Sequence, residues 1–126
     1  MTYSKQTSGS IGEAELRLRT AVERHKFGIL NVHDLKKILE SKGIALGAEC
    51  RVYDVCNPQA ASQALQADLR ISAILPCRIS IFSRNEGCTI ATVEPTSLFR
   101  ASGLEGAESL AQDVELVLKA IIDECA

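Results

Sequence analysis

Two thiols set beside prolines are the residues of this sequence whose types and spacing point most directly to chemistry. Cys56 opens the run Cys56-Asn57-Pro58, and Cys77 closes the later run Leu75-Pro76-Cys77. Each falls at an expected boundary between elements, a placement that brings the two sulfurs together if their strand ends lie side by side. Asn is among the strongest helix N-caps, and Pro at the first helical position gives up no hydrogen bond, since its amide would be unpaired there anyway. Cys56 therefore stands just before a helix N-terminus, where the dipole and free amides favour a thiolate and lower the thiol pKa. The competing reading takes both cysteines as small apolar residues and Asn57-Pro58 as a helix start alone. That structural reading is preferred for both, and more strongly for Cys77, which opens a strand.

A metal centre would need three or four ligands, usually announced by paired Cys-x-x-Cys or His spacings, and none occurs. Cys56, Cys77 and His33 form a weak alternative set, while His33 beside Asp34 reads first as a loop residue before an N-cap. No metal or other cofactor is expected. His25 reads as a packed core histidine, Cys50 and Cys125 as core, and Cys88 as ambiguous. A glycine-rich dinucleotide turn, a phosphate loop, a Gly-x-Ser-x-Gly elbow and a His-Glu-x-x-His helix are all missing. Glu49, Asp54 and Glu94 read as ordinary strand-edge charges, so no carboxylate pair can be selected and the chain is not expected to be an enzyme.

The elements that would position these residues follow from local signals. Tyr3 to Thr7 alternates weakly as a first strand, and Ser10-Ile11-Gly12-Glu13 is a capping box ahead of a helix to about Lys26. Phe27 to Val32 reads as a strand, and Asp34 caps a second helix whose buried face is Leu35, Ile38 and Leu39. A strand from Glu49 to Cys56 leads into the helix opened by Asn57-Pro58, whose residues Ala60, Ala61, Ala64 and Leu65 form a small face suited to close packing on a sheet. Ile79 to Arg84 and Cys88 to Val93 flank Asn85-Glu86-Gly87 as a hairpin. Pro95 precedes a short turn with Leu98 and Phe99, and Leu110, Val114, Val117, Leu118 and Ile121 mark a last amphipathic helix.

These elements predict one α+β domain over residues 1–126: two layers, with a mixed β-sheet built from βαβαβα units, then a hairpin and a C-terminal helix at about 107–125. Such a small sheet leaves a face or edge to cover, which favours a homodimer, with the last helix as a candidate contact. The 14 basic and 16 acidic residues give a net charge of −2, and aromatics are few, which argues against a nucleic-acid partner. Arg17, Arg19, Arg24 and Lys26 form the longest basic cluster and read as a solvated helix face. Five cysteines, no leader-like start and no long apolar stretch predict a cytoplasmic protein with reduced thiols and no membrane association.

The run Phe27-Gly28-Ile29-Leu30 with Asp34, the Cys56-Asn57-Pro58 turn with Ala60 and Ala64, Leu75-Pro76-Cys77, the Gly87 hairpin and Pro95 resemble the domain of unknown function 302 family over roughly residues 3–100. The resemblance implies a small bacterial or archaeal α+β protein, generally dimeric, with no established activity and no catalytic residue to carry over. Many members have a cysteine at the position of Cys56 or Cys77 and others do not, so a chemistry common to the family cannot depend on both. Three functions fit. The first is a dimeric binding or interaction module holding a small ligand or protein partner near Cys56-Asn57-Pro58, with Cys56, Asn57, Cys77 and His33 as candidate site residues. The second is a sulfur-transfer or redox protein using Cys56 and Cys77, and the third is metal-thiolate binding.

Overall fold

Short-range capping starts most of the helices in the structure, a computed structural model that describes residues 1–126. Strand β1 (Thr2–Thr7) precedes helix α1 (Ile11–Arg24), where the Ser10 hydroxyl accepts from the Glu13 amide and the Glu13 carboxylate accepts from the Ser10 amide. This reciprocal box satisfies two amides that a helix start leaves open. Strand β2 (Gly28–Asp34) ends at Asp34, whose carboxylate accepts from the Lys37 amide and caps the short helix α2 (Leu35–Glu40). Strand β3 (Cys50–Cys56) runs into helix α3 (Pro58–Ala67) through Asn57, whose side-chain oxygen accepts from the Ala60 amide. A 3₁₀ segment, Leu69–Ile74, leads to the β4 (Cys77–Ser83) and β5 (Cys88–Val93) hairpin, followed by α4 (Pro95–Ser102) and α5 (Glu108–Cys125). Gly87 at the hairpin turn has φ +94°, and a Cβ there would lie 2.3 Å from the Thr7 carbonyl oxygen. Only glycine fits that close approach.

The strands form one five-stranded sheet in the order β1-β5-β4-β3-β2. Every neighbouring pair is antiparallel, which corrects the expected mixed sheet. The α+β class and the order of elements stand; the direction of the strands differs because of where the connections lead. The α2 segment and the α3 segment each join strands that are antiparallel neighbours, so neither has to cross the sheet. Helix α1 alone makes a crossing, from β1 at one edge to β2 at the other.

Helices α1 and α5 pack on each other and on one face of the sheet, making two layers. Leu18 and Val22 of α1, Leu118, Ile121 and Ile122 of α5, and Tyr53, Val55, Ile79, Ile81 and Ile90 of the strands are the centre of that core. The apolar stripe of α5, a candidate dimer contact on the sequence alone, thus packs inside the domain. On the opposite face Val52, Phe82 and Ala91 remain half-buried, and Ser4 and Gln6 are exposed.

Several local expectations change. Helix α2 buries none of its residues, and Ile38 is 41% exposed, because the helix sits over nothing but the β2–β3 end. Pro95 starts a helix, not a turn, and Phe99 is buried in it. His25 is the cap of α1 and pairs with Glu124 at 2.8 Å near the surface, outside the core. Cys125 is fully buried, whereas Cys50 is only half-buried. No helix is long and apolar enough to cross a membrane.

Candidate functional site

At the end of the sheet where β3 finishes and β4 begins, a cavity of about 630 Å³ lies under α3, the 3₁₀ segment, α4 and α5. Its walls are mostly apolar, with Phe27, Ile71, Leu75 and Phe99 among the larger side chains. The space exists because the facing helices carry small residues: Ala60, Ala61 and Ala64 on α3, and Ala107 and Ala111 at and along α5. These alanines were expected to bring a helix close to the sheet. Instead they line the void, since α3 stands off beyond the strand ends, next to the 3₁₀ segment and α5.

Cys56, Asn57 and Cys77 all line this cavity. The antiparallel register opposes Val55 to Cys77, which places the Cys56 position next along from that pair. Burial raises the Cys56 pKa, reversing the lowered value expected from the helix start. Two facts explain the reversal. Asn57, not Cys56, occupies the cap and accepts one of the free amides, and the thiol abuts an apolar space that disfavours its charged form. Cys77 is pushed up to about 11, by burial first and by the neighbouring Cys56 second. Both sulfurs are therefore thiols, not thiolates, near neutral pH.

His33 does not join them and is not part of the cavity wall. It lies further along β2, where its Nε2 donates to Asp54 Oδ2 at 2.8 Å. Asp54 corrects another expectation. It is 6% exposed, not an ordinary strand-edge charge, and its Oδ1 is buried without a hydrogen bond. Its nearest cation is Arg78, the residue directly opposite on β4, with Nε 3.5 Å from Oδ1. Glu94 likewise binds Lys119 at 2.7 Å. No three His, Cys, Asp or Glu side chains gather closely enough to hold a metal ion, so Cys56, Cys77 and His33 do not assemble as a site within one chain.

Sequence reasoning missed Arg78, which lines the cavity, and the burial of Asp54 behind it. A signal for the cavity was present in the alanines, repeated at helical spacing on α3 and again at Ala107 and Ala111. The Asp54 and Arg78 pair has no local signal, because only the strand register opposes them.

No functionally curated protein matches this chain. Among solved structures, the crystal structure of an uncharacterized conserved DUF302 protein from Bacillus stearothermophilus is 27% identical, with a TM-score of 0.94, and the alignment covers 99% of this chain and 98% of that one. The family model described as "Domain of unknown function DUF302" matches residues 3–125, past the roughly 3–100 suggested by the sequence motifs and through the last helix. With the cavity-lining helix α5 inside that match, the chain belongs to the DUF302 family.

Proposed function

We propose that this chain is a non-catalytic binding module that holds a small apolar ligand in the cavity beside Cys56-Asn57-Pro58 and works as a homodimer. The observation that carries the reading is the cavity itself: about 630 Å³ with predominantly apolar walls. Pockets that enclose small organic ligands run from ~300 to 1,000 Å³ and share this lining, apolar with a few polar groups. The raised Cys56 and Cys77 pKa values favour binding over nucleophilic chemistry. One observation speaks for the thiol reading, that the two cysteines share a wall of the same cavity. For the dimer, the open sheet face with Val52, Phe82 and Ala91 is the better contact, since α5 is committed to the core.

The test is a fluorescence titration with N-phenyl-1-naphthylamine, a neutral apolar probe that brightens out of water. Saturable binding at one site per chain is expected, and Ala64→Phe, which fills the cavity, should abolish it. Absence of saturable binding, or binding that survives Ala64→Phe in a folded variant, refutes the reading. Sedimentation velocity of the same samples tests the dimer: wild type should run as a dimer and Phe82→Arg as a monomer, and a monomeric wild type rejects that part.

A further inference from the structure

We infer that the cavity takes an amphiphile whose apolar tail fills it and whose carboxylate head meets Arg78. This deepens the apolar-ligand reading and rests on it. Arg78 is the one charged side chain among the lining residues, and no acidic residue lines the wall. Its side chain is 71% exposed in the single chain and leaves β4 on the face that carries Phe82, at the strand end where the cavity lies. Asp54 holds the Arg78 guanidinium from the side. The buried Oδ1 lies 3.5 Å from Nε, which leaves the two Nη groups of Arg78 available to a ligand. Asp54 is also shared with His33, so its charge is not committed to Arg78 alone.

The other polar groups of the wall have the same sense. The Asn57 side-chain oxygen is used by the Ala60 amide, which leaves its NH₂ as a donor. Ser72 offers a hydroxyl, and Cys56 and Cys77 are protonated thiols, weak donors. Apart from Asp54, which already faces the Nε side of Arg78, the site has an arginine, an amide donor and no ionised acceptor, so it selects an anionic acceptor, and a planar carboxylate suits the paired Nη groups of a guanidinium. A cationic head would find no partner on this wall. His33 enters the account indirectly: it steadies Asp54, and Asp54 steadies Arg78.

The experiment displaces N-phenyl-1-naphthylamine, whose binding does not require a charge, with dodecanoate, methyl dodecanoate and dodecyltrimethylammonium, each kept below its micelle concentration at pH 7.5. In wild type the acid should compete about fivefold to tenfold better than the ester, the low end expected of a charge-assisted pair at an exposed guanidinium. The cation should compete worst, and added salt should narrow the gap between acid and ester. Arg78→Gln should bring the acid to the level of the ester, each competition being referred to that variant's own probe affinity, and Arg78→Lys should restore part of the difference. Equal competition by acid and ester in wild type overturns the carboxylate assignment and leaves the apolar-ligand reading intact. A preference for the acid that survives Arg78→Gln overturns the role of Arg78. Failure of the probe itself to bind overturns the underlying reading as well.

Discussion

Leu18, Tyr53, Ile79, Ile90, Leu118 and Ile121 interlock between the sheet and helices α1 and α5 with no side chain exposed, whereas Ala64, Ile71, Phe99 and Ala107 form a second cluster that surrounds a cavity. The two regions share an apolar character and differ in side-chain volume. Branched residues from three directions fill the first. In the second, Phe99 and Ile71 hold the helices apart while the alanines of α3 and α5 leave the middle unfilled. Packed interiors gain from dispersion contacts that a void forfeits, so the second region gives up stability that the first keeps. The comparison teaches that apolar pattern decides what is inside, and side-chain size decides whether the inside is solid.

The comparison breaks most visibly at large side chains. Ile121→Ala should cost about 2–5 kcal/mol in urea denaturation, the range for a large-to-small change in a packed core. Ile74→Ala, at a half-buried position on the cavity wall, should cost no more than about 1.5 kcal/mol, because it enlarges a space already present. Equal losses would show the two regions to be packed alike. A smaller contrast runs in the opposite direction. Ala14→Leu, at a position with no exposure, should lose about 1–3 kcal/mol through overpacking, while Ala64→Leu should change stability by under about 0.5 kcal/mol. Ala64→Leu losing as much as Ala14→Leu would mean that the cavity collapses in solution.

The finest contrast uses two thiols whose pKa burial raises in the same direction. Burial is the first cause that pushes both Cys77 and Cys125 up to about 11, yet Cys77 lines the cavity and Cys125 is sealed in the core. Iodoacetamide at pH 8 should label Cys77 slowly and Cys125 more slowly still, as followed by mass spectrometry. The Cys77 rate should rise about tenfold per pH unit below its pKa, since the thiolate is the reacting form. N-phenyl-1-naphthylamine should protect Cys77 and leave Cys125 unaffected. Protection of both would trace labelling to global opening, not to the cavity. Fast labelling of Cys56 or Cys77 near neutral pH would revive the thiol function.

The parts of the fold that were legible in the sequence are those fixed within a few residues. Ser10 with Glu13, Asp34, Asn57-Pro58 and the Gly87 turn each state their structure locally, because caps and turns are satisfied by neighbours in the chain. Strand direction is set by pairing between distant segments, so alternating helices and strands suggested a mixed sheet where an antiparallel one forms. Ile38 shows the limit of periodicity: its spacing marks a buried face, but α2 ends up with nothing packed over it. The site divides in the same way. Cys56, Asn57 and Cys77 stand out by their residue types, and the structure puts them on one wall. His33 also stood out, but β2 carries it away from the thiols to Asp54. Arg78 could not be singled out, because its place beside the cavity depends on the strand register and on where α3 and α5 come to rest.

The pairing of β1 with β5 bears on how this domain is made. The Thr7 hydroxyl donates to the Cys125 carbonyl across 118 residues of sequence, and α1 packs chiefly on α5. On the ribosome, the first strand and the apolar side of the first helix therefore emerge long before their partners. Contacts of such separation form slowly, and unsatisfied strand edges and apolar faces are what chaperones bind in the interval. Synthesis must deliver β5 before the first strand has a neighbour, and the last helix before the first helix is covered.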